Sequence, residues 1–367
     1  MNRMIVANLV HRPLRSLISI IAIAVEVTLI LLIVGLATGM LNDSRNRTKG
    51  TGADVIVRPP GSSAIIGLTG APVSIKVADK IRKQSHVAAV SPVVVHLISS
   101  NAVEFIYGID LSSFEAVGGP FRYVEGGRFQ EPYDMLVDEL FASANKVHVG
   151  SKVELFNQTF RVSGVVEPGR GARRFISIET MQDLIGAQGK ASIFYVKLDN
   201  PANAELVSSQ IKQISGMENY SVMSMTEFLS QMTPERLPGL SSFIKVVVGI
   251  AVVIGFIVIF QSMYTAVMER TREIGILKSL GASKLYIVRV ILRETLVLAV
   301  AGIIVGMIIS FTARPILSYK FPTLPVEITK GWILRATIIA IVGAIFGAIY
   351  PAFKAAQKDP IDALAYE

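Results

Sequence analysis

The sequence predicts an α-helical membrane protein with four transmembrane helices, both termini inside (N-in/C-in), and a large α+β extracytoplasmic domain between helices 1 and 2. Three observations carry this expectation. Of the 367 residues, 51% are hydrophobic and 17% charged, and a mean hydropathy of +0.52 is too high for an ordinary water-soluble domain of that length. Four apolar runs are long enough to cross a hydrocarbon core of ~30 Å, which takes about 20 residues of helix. The charge is also segregated: residues 41–240 hold 20 Lys plus Arg and 20 Asp plus Glu, so the remainder keeps 16 of the 36 basic and 8 of the 28 acidic residues, the whole net +8. Such an excess beside apolar runs is a topology signal, and no nucleic-acid partner is needed to explain it.

The first run covers Leu17 to Met40 and is interrupted by a single charge, Glu26. It is longer than the core of a secretion signal, and no small-x-small cleavage site precedes Asn42, so it reads as a retained anchor. The second run spans residues 243–268, with Lys245 near its start; the third spans 295–313; the fourth spans 332–353, with Arg335 one turn inside. Arg3, Arg12 and Arg15 precede the first run. Arg270, Arg272, Lys278, Lys284, Arg289 and Arg293 lie between the second and third, and Lys354 and Lys358 follow the fourth. Basic residues near span ends mark the cytoplasmic side, which places both termini and the middle loop inside. The chain thus divides into an N-terminal segment with helix 1 (1–40), an extracytoplasmic domain (41–240) and a three-span region (241–367).

Within 41–240 the patterns are mainly short β-type runs. Residues 53–58 end at Pro59-Pro60-Gly61, residues 90–98 are rich in Val, and residues 151–155 and 159–166 read as a hairpin turning at Asn157-Gln158. Residues 74–84 and 203–215 have helical spacing behind Ser74 and Asn203 as caps. With no Cys, and His only at 11, 86, 96 and 148, there is neither a disulfide framework nor a thiolate metal set, and His148 reads as a surface or cross-strand residue. The basic loop 168–174 suits an anionic group or, more plainly, a solvated connection between strands. Asp138-Glu139 and the Glu131–Asp134 pair have acid/base side chains without any sign that they converge, so enzymatic activity is not expected.

Glu26 is the anomaly of the first run, because an unpaired carboxylate deep in a span is costly unless protonated, paired or facing water. It reads either as a functional group facing a lateral cleft or as a structural group hydrogen-bonded to Thr28 or a neighbouring helix. Gly35/Gly39, Gly302/Gly306 and Gly343/Gly347 repeat at four-residue spacing, which lets helix backbones approach closely. A phosphate-cradling loop needs Gly, four residues, then Gly-Lys-Ser/Thr. Gly189-Lys190 is followed by Ala191 and preceded at the required place by Leu184, so ATP and Mg would be bound by another polypeptide and no cofactor by this one.

The loop after the second run, residues 269–283, is charged and amphipathic. Ile274, Leu277 and Leu280 are expected to line one face of any helix formed there, Gly281 is a stop signal, and such a short helix suits a lipid surface or a groove on a partner. The string Glu269-Arg270-Thr271-Arg272-Glu273-Ile274-Gly275-Ile276-Leu277-Lys278-Ser279-Leu280-Gly281-Ala282-Ser283, followed by Ile287 and Glu294, resembles the cytoplasmic signature of the MacB, LolC/LolE and FtsX superfamily of ABC transporter permeases. Tyr350-Pro351-Ala352, Ala355-Ala356 and Asp359-Pro360-Ile361-Asp362-Ala363-Leu364 resemble the same family's C-terminal ending, and Val147 to Leu198 is more loosely similar to its periplasmic domain.

The resemblance implies a bacterial inner-membrane permease subunit, closer to stand-alone permeases than to those fused to a nucleotide-binding domain. Two such chains, identical or different, would bind two copies of an ABC ATPase, and a periplasmic adaptor is a further implied partner. Residues 269–283 would be the coupling helix, with Ile274, Leu277 and Leu280 as docking anchors, Arg270 and Glu273 orienting them, and Glu269, Gly275 and Gly281 completing the segment. ATP hydrolysis by the partner would move the extracytoplasmic domain to export or extract an amphiphile or lipoprotein-like cargo. The implied alternative is a regulatory scaffold of the FtsX kind that transports nothing.

Overall fold

The computed structural model describes residues 13–62, 70–99 and 103–358. Arg3, Arg12 and residues 359–364 of the C-terminal motif lie outside them. The chain resolves into two units: one draws on the chain up to Gly39, on Gly239–Tyr319 and on the chain from Val326, the other on Met40–Pro238 and Lys320–Pro325.

The elements follow in chain order as α1 (Pro13–Lys49), β1 (Val55–Arg58), β2 (Val73–Ser74), α2 (Val77–Arg82), β3 (Val87–Ser99) and β4 (Val103–Ile109). Next come α3 (Leu111–Gly118), β5 (Tyr123–Gly126), β6 (Asp134–Asp138), α4 (Glu139–Asn145), β7 (Lys152–Leu155), β8 (Gln158–Val166), β9 (Arg174–Ser177) and α5 (Ile178–Leu184). Then follow β10 (Lys190–Ala191), β11 (Ile193–Leu198), a 3-10 turn at Pro201–Asn203, α6 (Ala204–Lys212), β12 (Ser221–Ser224) and α7 (Met225–Gln231). The last four are α8 (Pro238–Glu269), α9 (Thr271–Ser279), α10 (Lys284–Lys320) and α11 (Lys330–Gln357).

In the helical unit, α1, α8, α10 and α11 are long and apolar enough to cross a membrane. Each helix outlasts its apolar run: α10 has 37 residues, about 55 Å at 1.5 Å per residue, against a ~30 Å hydrocarbon core. The outward faces are apolar, as at Ile21 and Val25 of α1, Val246 and Ile250 of α8, Ile308 of α10 and Phe346 of α11, the inverse of a water-soluble bundle. Ile23, Val27, Ile30, Ile259, Leu298 and Ala344 are among the side chains that meet inside. Gly302, Gly306 and Gly347 serve this packing, whereas Gly35 faces Val326 and Glu327 ahead of α11. A Cβ on Gly302 would fall 2.7 Å from Cβ of Ile23, and one on Gly347 would fall 3.1 Å from the carbonyl oxygen of Phe256. Close approach is what small residues contribute where lipid removes the hydrophobic drive for helix association.

The other unit is built on a ten-stranded mixed sheet in the order β12-β1-β11-β3-β4-β9-β6-β8-β5, with β7 paired to β8, and β2 and β10 form a second, two-stranded sheet. β1 and β6 are buried along their whole length, so their Val, Ile, Leu and Met runs need no alternation. One core joins Val55, Val57, Phe194 and Val196 to Val207 and Ile211 of α6. A second joins Ile106, Val137, Phe160 and Ile176 to Phe141 of α4 and Met181 of α5.

The expected hairpin is present as β7–β8, with a corrected turn. Leu155 pairs with Gln158, and Phe156 and Asn157, with φ of 53° and 57°, are the two loop residues, the left-handed pair that a two-residue hairpin requires. Ser74 lies in β2 rather than capping a helix at 74–84; α2 starts at Val77 with no side-chain cap. Asn203 precedes α6 without a side-chain cap, and Asn200 instead caps the 3-10 turn before it.

The acidic pairs and the basic loop hold the fold together. Asp138 accepts from the amide of Phe141 at 2.7 Å, capping α4, and from Arg173 at 3.0 Å. Arg173 also donates to Asp43 at 3.0 Å, and Asp43 accepts from Arg47 at 2.9 Å, so the last turns of α1 are tied by a charge chain to the end of β6. In the same loop Arg170 donates to the carbonyls of Gly118 and Gly119, and Arg174 pairs with Glu104 at 2.8 Å. The plainer reading of residues 168–174 therefore needs one correction: these three arginines are engaged internally instead of solvated.

Candidate functional site: the α8–α9 elbow

The segment from Glu269 to Ser283 forms an elbow and a short helix at one end of the bundle. Arg270 is the turning residue between α8 and α9, with φ −107° and ψ 17°. Thr271 smooths the break, its hydroxyl donating to the carbonyls of Val267 at 3.3 Å and Met268 at 2.8 Å in the last turn of α8. α9 stops in a Schellman motif: Gly281 adopts φ +94°, its amide donates to Lys278, and the amide of Ala282 donates to Leu277. Glycine suits that left-handed turn because it has no Cβ to strain. Ser283 then caps α10, its hydroxyl accepting from the amide of Tyr286 at 3.2 Å.

The two sides of α9 differ. Thr271, Ile274 and Gly275 are buried, and Leu277 is half-buried. Ile274 packs with Val267, Ile287, Val288, Ala352 and Ala355, so this side belongs to the protein's own interior. The opposite side carries Arg272, Glu273, Ile276 and Leu280, with Leu280 80% exposed and Ile276 44%. Leu285 and Tyr286 at the start of α10 are exposed as well.

The expectation that Ile274, Leu277 and Leu280 share one free stripe is corrected accordingly. Steps of three residues on a 3.6-residue helix each turn the side chain back by about 60°, so two steps separate Ile274 from Leu280 by about 120°. The exposed apolar pair is Ile276 and Leu280, at i and i+4. Glu269, Glu273 and Gly281 are exposed, whereas Gly275 is buried.

Cations anchor both ends of α9. Arg270 pairs with Glu294 of α10 at 2.9 Å, with side chains 12% and 4% exposed. Lys278 donates to the carbonyls of Ala356, at 3.0 Å, and Lys358, placing positive charge where α11 ends. Beside the Arg270–Glu294 pair is a cavity of about 50 Å³, whose walls include Glu273, Ile274, Leu277 and Ile291. Sequence reading placed Glu294 only as part of a motif; a lone Glu at the head of an apolar run was the available signal.

Glu26 lies inside the bundle, 5% exposed, with Oε1 buried and without a hydrogen-bond partner among the described residues. It abuts Gly255 of α8 so closely that a Cβ there would come within 2.0 Å of Oε2. The hydroxyl of Thr28 donates to the carbonyl of Gly306 at 3.2 Å, so the expected Thr28 bond to Glu26 is replaced by one to α10. Among the described residues, no three His, Asp or Glu side chains converge as a metal set.

Four long apolar helices, an α/β unit inserted in the sequence between the first two, and a short charged helix after the second define a multi-span membrane protein with an inserted domain. Comparison with known proteins makes this particular. Residues 16–214 match the MacB-like periplasmic core domain and residues 245–360 the FtsX-like permease C-terminal domain. The chain belongs to the family of the MacB-like periplasmic core domain and is an ABC transporter permease of MacB/FtsX type.

It is 25% identical over 412 aligned positions to the uncharacterized ABC transporter permease YvrN of Bacillus subtilis, covering 98% of each chain. It is 23% identical to the macrolide export ATP-binding/permease protein MacB of Neisseria gonorrhoeae, where all of this chain spans 60% of the relative's length. A crystal structure of the periplasmic region of MacB from Actinobacillus actinomycetemcomitans aligns with 50% of this chain and 94% of that one, at 19% identity and a TM-score of 0.38.

Proposed function

We propose that this protein is the membrane subunit of an inner-membrane ABC transporter in which a separate ATPase docks on the exposed side of α9. ATP binding and hydrolysis there drive a conformational change of the extracytoplasmic α/β unit that exports or extracts an amphiphilic or lipoprotein-like cargo. The observation that carries this reading is the division of α9 into an internally packed side and an edge that presents Ile276 and Leu280 to the medium. A short amphipathic helix offering i, i+4 anchors is the usual form of helix-in-groove recognition. In this arrangement α9 and both termini are cytoplasmic, the functional assembly is a permease dimer with two ATPases, and the partner supplies ATP and Mg binding. Coupling requires that ATP favour one arrangement of the assembly over another, since only differential affinity shifts a conformational equilibrium.

The docking anchors are Ile276 and Leu280, with Arg272 and Glu273 beside them. Ile274 and Arg270 act by holding α9 to the bundle. Leu277 is half-buried, so Leu277→Asp would disturb the protein's own packing and docking together; Leu280 is the cleaner probe.

Purification of the full chain from its native membrane, with identification of the proteins and lipids that accompany it, tests the proposal. An ABC ATPase recovered in proportion to the chain, with ATP hydrolysis in the preparation, is the expected result. A complex that contains an extracytoplasmic enzyme and moves no cargo would favour the scaffold alternative.

A further inference from the structure

We propose that Glu294 is a positioning residue: through its ion pair with Arg270 it fixes the angle at which α9 leaves α8, and thereby where the Ile276–Leu280 edge is presented. This rests on the docking reading of α9. The elbow is one residue long, Arg270, between the last residue of α8 and the first of α9. Its side chain makes no capping bond to α9 and instead reaches 24 positions along the chain to Glu294 at 2.9 Å.

Glu294 is only 3% exposed, on the side of α10 that also buries Val290 and Thr295. A charge-assisted hydrogen bond between a planar guanidinium and a carboxylate constrains direction as well as distance, which apolar contact does not. The cavity of about 50 Å³ lies against both charged side chains, so the space between elbow and α10 is incompletely filled. At the far end of α9, Lys278 is tied to carbonyls of Ala356 and Lys358. Between the two tethers Ile274 is the large buried side chain of α9. Loss of the Glu294 bond removes the directional contact between the elbow and α10, while Thr271, Ile274, Leu277 and Lys278 still hold α9 to the bundle.

The sequence contains no Cys, so paired spin labels can be placed on the full chain without removing native thiols. Ser279→Cys on α9 and Thr312→Cys toward the far end of α10 are both exposed positions. Pulsed dipolar spectroscopy of the doubly labelled chain, diluted with an excess of unlabelled chain in lipid nanodiscs so that distances within one chain are read, should give one narrow distance peak. Glu294→Gln should abolish that single peak and spread it over several distances with helix content unchanged, and combining Arg270→Glu with Glu294→Arg should restore it. Where Glu294→Gln fails to insert, Glu294→Asp, one methylene shorter, should displace the peak.

A narrow, unshifted peak in the Glu294 variants, or a charge swap as broad as Glu294→Gln, would overturn the assignment. No ATPase is present in the measurement. Failure of the positioning role therefore leaves the docking reading standing, and failure of docking leaves the distance result standing.

Discussion

Replacing Leu280 and Ile274 separately by Ala should pull apart two properties carried on adjacent turns of α9, docking and internal packing. Leu280 is 80% exposed, so its truncation removes almost no internal contact and should change the stability of the free chain by less than about 0.5 kcal/mol. Burial of a Leu side chain in a partner's groove is worth about 1.5–3 kcal/mol, and each 1.4 kcal/mol is tenfold, so Leu280→Ala should weaken ATPase binding by roughly ten- to a hundredfold. Ile274 is 9% exposed and packs with Val267, Ile287 and Ala355. Ile274→Ala should destabilise the bundle by about 2–5 kcal/mol, through lost transfer energy and an enlarged cavity, while leaving the exposed anchors chemically intact. The assay is affinity of the ATPase subunit for the full chain in nanodiscs, by biolayer interferometry, with the thermal midpoint of each variant measured in parallel. The reasoning fails if Leu280→Ala binds normally while Ile274→Ala loses binding at unchanged stability.

Three further outcomes follow from the packing. Arg173→Ala strands Asp138, a 1% exposed carboxylate, and cuts the link to Asp43; it should cost about 3–5 kcal/mol in calorimetric unfolding of the α/β unit, and the double variant with Asp138→Asn should recover part of it. Asp134 is held below its ordinary value of 3.8: burial pushes it up, but the bond from Arg161 and the amides of Gln130 and Glu131 outweigh that. Its folded form therefore binds fewer protons than its unfolded form, so its stabilisation is complete above 3.8 and lost as pH falls through the lowered value; Asp134→Asn should flatten the acid limb of the melting curve. Glu26→Gln should preserve membrane insertion and thermal midpoint but lower cargo transport, whereas Gly255→Ala, forced against Glu26, should destabilise the bundle by about 1–3 kcal/mol in chemical denaturation.

The membrane part was legible in sequence because lipid imposes a long-range rule, about 20 apolar residues per span, that single residues cannot hide. The Schellman stop at Gly281 and the β7–β8 hairpin were legible too, since each depends on local backbone chemistry. Helices α3, α4, α5 and α7 were not, at eight residues or fewer. A helix that short is held by tertiary packing and single caps such as Asp110, Asp138 and Ser224, and has too few turns to show periodicity. The same limit explains the α9 stripe: four large apolar residues in seven positions fit more than one face, and only the neighbours supplied by α8, α10 and α11 select Ile274 as internal. Glu294 was hidden for another reason. Its partner Arg270 is distant in sequence, and no local pattern pairs them.

The central claim, that the exposed edge of α9 receives an ATPase, is tested most directly by a photo-crosslinking amino acid placed at Leu280 or at Ile274 of the full chain in its native cells. Irradiation should join the Leu280 variant to an ABC ATPase, identified by mass spectrometry, with a yield that changes when ATP is depleted, while the Ile274 variant should give only crosslinks within the chain. Leu280 crosslinked to lipid alone, with ATPase captured at neither position, would contradict the account.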